Sequence, residues 1–155
     1  MNRIGSDKGF SFIEVAIAVV LMGILAVISL TSMKTYSARR DMTAGGRQLA
    51  GDLRLTQQLA MAQGQNFKLV YAPSSTSSYT IIKSSDSSLS KSVLLSSSLT
   101  VTSTGFTSNT AEFAKTGAPV QSGTFCVSAG VSTIMKVDVL AETGRVTDQE
   151  VSVCP

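Results

Sequence analysis

The sequence predicts an α+β chain: one long N-terminal helix followed by a mostly antiparallel β domain. Three observations carry that expectation. An apolar run from Phe10 to Leu30 holds a single ionisable side chain, Glu14. Residues 31 to 64 contain no proline and place Leu49, Leu53, Thr56 and Ala60 on one side at a spacing of 3.6. After Gly64 the apolar period shortens to two, in short runs separated by small polar residues.

The apolar run comes first. At about 1.5 Å of rise per residue it spans roughly the 30 Å of bilayer hydrocarbon, so it reads as a membrane helix over residues 10–33. A conventional secretory signal needs a shorter apolar core and a small-residue cleavage site after it. Here the conspicuous small residue, Gly9, lies before the run, and Lys8 precedes it. Cutting there leaves the greasy segment on the product.

Glu14 is costly inside a membrane, at about 2.5–3.5 kcal/mol near the centre and less near the interface. Two roles suit it. It could cap the first turn of its own helix and meet the positive end of the dipole. Alternatively, it could pair with the amine exposed on Phe10 of a neighbouring molecule and set the register of packed helices.

Lys8-Gly9-Phe10-Ser11-Phe12-Ile13-Glu14-Val15, followed by a hydrophobic helix, resembles the leader of type IV pilins and pseudopilins. The resemblance implies residues 1–9 as a prepilin leader and cleavage between Gly9 and Phe10 by a prepilin peptidase. It further implies N-methylation of Phe10 and Glu14 as the assembly residue. Relatives often carry a proline late in the helix. This chain has Leu30-Thr31-Ser32 there, so no proline kink is expected.

Beyond the membrane, residues 34–64 form the periplasmic half of the helix in this scheme. Leu55, Leu59 and Ala62 extend its apolar stripe, while Gln48, Asp52 and Gln63 interrupt it. Gly45-Gly46 is expected to bend or fray the helix, since each glycine costs up to about 1 kcal/mol relative to alanine. Gly64 is a reasonable stop.

The β domain covers 65–155. Strands are expected at 67–71, 79–83, 93–95, 99–102, 112–114, 124–128, 133–140 and 144–147. The clearest is 133–140, where Met135, Val137 and Val139 face one way and Lys136 and Asp138 the other. Val151 and Val153 repeat the alternation. Glu142-Thr143-Gly144 reads as a hairpin turn. Serine-rich stretches at 74–78, 84–92 and 96–98 read as solvated loops.

Composition narrows the chemistry. Histidine is absent, which removes the commonest general base and metal ligand. No P-loop or nucleophile-elbow motif is present, so no enzyme, cofactor or metal site is expected. Asp138 and Glu142 have no oxygen-rich loop around them to hold calcium. Cys126 and Cys154 are the only cysteines. In an exported domain they would pair; in a cytosolic protein they would be two core thiols. Basic residues flank both ends of the apolar run, so charge alone does not orient it. The leader resemblance, with the cysteines read as a pair, implies a cytoplasmic N-terminus and a β domain in the periplasm.

The later half is similar to the GspH/FimT group of minor pseudopilins. The likeness rests on "DLRLTQQLAMAQGQNFKLVY", Glu112-Phe113, Gly117, "GTFCVS" at 123–128 and Gly144-Arg145-Val146. It implies a minor pseudopilin or minor pilin: a structural subunit of a type II secretion pseudopilus or a type IV pilus, contributing to initiation or the tip. The partners would be other pilin or pseudopilin subunits, the prepilin peptidase and an inner-membrane assembly platform.

The alternative is a DNA-binding minor pilin in natural transformation. Some members of the group use a glycine-arginine pair with a second arginine two places on. Here Thr147 stands at that second position, and Asp148 and Glu150 follow. Lys136 and Arg145 are the weak DNA-contact candidates, and nucleic acid is not expected as a partner. Arg39, Arg40, Arg47 and Arg54 on the helix could instead meet anionic headgroups or acidic neighbours. An uncleaved, singly spanning membrane protein is a third possibility.

Overall fold

The computed structural model describes residues 11–72, 78–86 and 90–154. Gly9 and Phe10 lie outside them. Helix α1 runs from Phe12 to Gln63. The chain divides into two compact units at Tyr36 and Ser37. Among its described residues the first unit is helix from Phe12 onward. Its apolar side chains, from Phe12 through Ile17 and Val20 to Leu25, stand exposed.

Among the described residues the second unit joins the later half of α1 to eight strands: β1 (Phe67–Ala72), β2 (Ser78–Lys83), β3 (Ser90–Leu94), β4 (Thr100–Thr104), β5 (Thr110–Phe113), β6 (Gly123–Ser128), β7 (Ile134–Leu140) and β8 (Arg145–Val151). They form two antiparallel sheets, ordered β3-β2-β1-β5 and β4-β6-β7-β8. Period-two alternation explains the inner faces. In β1, Phe67, Leu69 and Tyr71 are buried; in β7, Met135, Val137 and Val139 are buried. Leu49, Leu53, Thr56 and Ala60 of α1 close over this core. The result is a long N-terminal helix packed on antiparallel sheets.

Several expectations change. Ala62 is exposed, so the stripe ends at Ala60. Gly45 and Gly46 do not fray α1: both are buried inside the continuous helix. A Cβ on Gly46 would collide with the Met135 side chain of β7. The missing side chains let helix and sheet approach, and that contact outweighs the propensity cost. Ser78, Ser90 and Ser92 belong to strands β2 and β3, where the sequence reads solvated loop. Positions 73–77 and 87–89 lie outside the described residues.

Ala114 falls after β5, its N–H donating to the Ala118 carbonyl at 2.8 Å. β8 runs to Val151, four residues beyond the expected end, and Val153 is 74% exposed past it. Its hairpin turn is as anticipated: the Gly144 N–H donates to the Leu140 carbonyl at 2.9 Å, with Gly144 at φ +67°.

Candidate functional site

The helix of the first unit offers a surface rather than a pocket. Phe12 is 90% exposed, and Ile13, Val15, Ile17, Val19, Val20, Leu21, Met22, Ile24 and Leu25 are also exposed. Such a face is far larger than the isolated apolar residues normal on a soluble surface. Glu14 sits in its first turn, with its backbone N–H donating to the Ser11 carbonyl at 3.0 Å. Among the described residues no side chain donates to the Glu14 carboxylate. Among them, too, no helix is long and apolar enough to cross a membrane. The sequence run Phe10–Leu30 extends past the described apolar side chains at both ends.

The second unit treats its charges differently. Asp52 lies on the buried side of α1 at 8% exposure. Its Oδ2 accepts from the Tyr79 hydroxyl at 2.7 Å, and its Oδ1 pairs with Lys91 Nζ at 2.8 Å. Thr56 Oγ1 donates to the Asp52 carbonyl at 2.6 Å. Burial, then the hydrogen bond to Asp52 and its charge, push the Tyr79 phenol well above the ordinary tyrosine range. Sequence alone marks Asp52 only as a flaw in the stripe. Its partners lie in β2 and β3, and nothing local announces them.

A second set of contacts runs along β8. Register places Val146, Asp148 and Glu150 on one face of the strand, and that face meets α1. Arg54 donates to Asp148 Oδ1 at 2.8 Å and to the Val146 carbonyl at 3.1 Å. Arg39 donates to Glu150 Oε2 at 2.7 Å, and Thr43 Oγ1 to Oε1 at 3.3 Å. The Arg39 hydrogen bond and charge hold the Glu150 carboxyl below its ordinary range, with Arg47 adding to the field from further away. Gln57 Nε2 donates to the carbonyls of Gly117 and Gly144, at 2.7 and 2.9 Å, and so fixes two loops at once. Arg39 and Arg54 are therefore occupied within the chain rather than free for lipid or neighbours.

The DNA-contact candidates are not brought together. Lys136 pairs with Asp138 at 3.0 Å. Arg145 stands opposite Leu140, and Lys136 opposite Gln149, four positions away along the strands, or about 13 Å. A disulfide joins Cys126 of β6 to Cys154, tying the end of the chain across the sheet. Asp138 accepts from Thr124 Oγ1 at 2.6 Å as well as from Lys136.

Residues 5–30 match the prokaryotic N-terminal methylation motif. No curated protein matches the chain in sequence. Its fold is similar to that of the type IV minor pilin FimU of Pseudomonas aeruginosa, with a TM-score of 0.58 and 14% identity over 74% of this chain and 92% of that one. It is also similar to the minor pseudopilin EpsH of the Type 2 Secretion System of Vibrio cholerae, with a TM-score of 0.56 and 11% identity over 72% of this chain and 97% of that one. The chain thus joins a match to an N-terminal methylation motif, at residues 5–30, to a fold similar to that of these two proteins.

Proposed function

We propose that this chain is a minor pilin or pseudopilin, a structural subunit of a type IV pilus or type II secretion pseudopilus. The observation that carries the proposal is the exposed apolar helix with one unsatisfied carboxylate, on a chain that bears the methylation motif. A prepilin peptidase removes residues 1–9, cutting between Gly9 and Phe10, and the new Phe10 amine is methylated. Residues 10–33 anchor the chain in the inner membrane, with residues 34–64 and the β domain of 65–155 in the periplasm. An assembly platform then moves the helix from lipid into the filament. The apolar surface exchanges lipid for helix–helix packing, and Glu14 gains the charge of a neighbour's Phe10 amine.

The mass of the mature N-terminal peptide tests the proposal. The expected result is a chain that begins at Phe10 and carries one added methyl group. A chain retaining Met1 in cells with an active prepilin peptidase overturns it. The same outcome would favour an uncleaved membrane protein.

A further inference from the structure

The sheet β3-β2-β1-β5 carries two opposite charges that face each other and do not pair. Register sets Lys68 of β1 opposite Glu112 of β5. Both alternate with buried neighbours, Phe67 and Leu69 on one strand and Ala111 and Phe113 on the other, so both stand on the outer face. Such neighbours have Cβ atoms about 5 Å apart, close enough for opposite charges to attract. Glu112 turns elsewhere: its Oε1 accepts from Ser84 Oγ at 2.8 Å and from Asn66 Nδ2 at 3.3 Å. Among the described residues nothing donates to its Oε2. Half-buried Lys68 makes neither an ion pair nor a side-chain hydrogen bond among them.

Lys68 and Glu112 line one cavity of about 280 Å³, together with Thr107, Thr110, Val120 and Gln121. Two hydrogen bonds clasp its rim. The Thr107 N–H donates to Gln121 Oε1, and Gln121 Nε2 donates to Thr107 Oγ1, both at 3.0 Å. Beside this clasp Ser108 and Asn109 lie at φ +52° and +54°, although neither is glycine. Such backbone persists only where its surroundings enforce it, and it gathers at ligand clamps. The clasp leaves polar groups unused. Donors are the Lys68 ammonium, the Thr107 O–H and the second N–H of Gln121; the acceptor is Glu112 Oε2.

We propose that this cavity binds the zwitterionic end of an α-amino acid, with its carboxylate on Lys68 and its ammonium on Glu112. A plain carboxylate is drawn by Lys68 and repelled by Glu112, and a plain amine meets the reverse. A ligand with both charges on adjoining atoms gains from both, through charge-assisted hydrogen bonds. The Thr107 hydroxyl and the Gln121 amide supply further donors. The cavity is smaller than most drug-sized sites, which suits a small end group. This site goes beyond the filament assignment and does not depend on it.

Nitrogen-15 spectra of the full-length chain in detergent micelles, titrated with L-alanine, test the proposal. Saturable shifts are expected at Thr107, Thr110 and Gln121, including the Gln121 side-chain amide. Acetate lacks the ammonium and alaninamide lacks the carboxylate, so neither should produce them. Lys68→Met and Glu112→Gln should each weaken alanine binding by about tenfold or more. Glu112→Gln keeps Oε1 for Ser84 and Asn66, so the local fold is retained. Nε-acetyl-lysine separates two sources of the ligand. If it binds as tightly as alanine, the site takes an amino-acid end carried on a larger molecule; if alanine alone binds, the site takes the free amino acid.

The absence of saturable shifts with both amino acids overturns the proposal. So do equal shifts with acetate or alaninamide, or unaltered alanine binding in either variant. None of these results touches trimming at Gly9 or filament entry.

Discussion

Glu14 and Asp52 are two carboxylates on the same helix, in surroundings where a bare charge is costly. Asp52 has a phenol and an ammonium aimed at it from β2 and β3 of its own chain. Glu14 has no such donor among the described residues. The cost of an unsatisfied charge is general, so the difference shows where each need is met. In the second unit the buried carboxylate of Asp52 is paired within the chain. The helix of the first unit shows an apolar face and a lone acid, the pattern expected of a surface finished by other molecules.

The largest effect should come from Glu14→Gln. It removes the charge and keeps the shape. Filament incorporation should fall by about tenfold or more, while trimming at Gly9 stays normal and the unfolding midpoint of the domain is unchanged. Immunoblotting of purified filaments against the membrane fraction reads the first, and denaturant titration the last. If incorporation is unaffected, Glu14 is not completed by a neighbour and the contrast with Asp52 fails.

Asp52→Ala should do the reverse. It strands the Tyr79 hydroxyl in the core and leaves Lys91 without its counter-ion. A loss of about 2–3 kcal/mol is expected in denaturant unfolding of the processed chain. The folded fraction should still enter filaments normally. A destabilisation below about 0.5 kcal/mol would mean that water replaces the partners and that Asp52 is no better served by its own chain than Glu14 is.

Much of the architecture could be read from the residues. β7 is the plainest case, since Met135, Val137 and Val139 alternate with Lys136 and Asp138 and need no distant information. The methylation motif matched by residues 5–30 is equally local. What could not be read depends on contacts far along the chain. Gly45-Gly46 reads as weakness because propensity is local, whereas Met135 fills the space above Gly46 from 89 positions away. Asp52 reads as a flaw because Tyr79 and Lys91 are 27 and 39 positions on. The strand expected at 144–147 stops short of Asp148 and Glu150, which β8 contains. Their partners, Arg54 and Arg39, sit 94 and 111 positions earlier. Each misreading concerns a polar or small residue whose role is set by the element that packs on it.

Tyr79 sharpens the contrast through alkaline pH. Its phenol is raised above the ordinary tyrosine value, so the unfolded chain ionises first. Above about pH 10 the unfolded state holds fewer protons than the folded one, and stability falls with rising pH by up to about 1.4 kcal/mol per unit. Tyr79→Phe should remove that contribution while leaving Asp52 paired only with Lys91. Unfolding midpoints between pH 9 and 11 measure the difference, and identical slopes in the two proteins would contradict the burial of a protonated phenol against Asp52.

The smallest effect belongs to the exposed end of the β8 contacts. Arg39 holds the Glu150 carboxyl below its ordinary value, so the folded state releases this proton more readily than the unfolded state. The stabilisation is present above the unfolded carboxyl value, near 4.3, and is lost as pH falls through the folded one. Both side chains are well exposed, so salt screens the pair, and an exposed pair contributes little even when its geometry is good. Glu150→Gln should therefore lower the melting temperature slightly at pH 7 and low salt, with the difference shrinking as pH falls below about 4 and in 1 M salt. A difference that stays the same as pH falls and salt rises would assign the effect to packing of β8 on the helix. The charges along β8 would then be a consequence of the fold rather than part of what closes it.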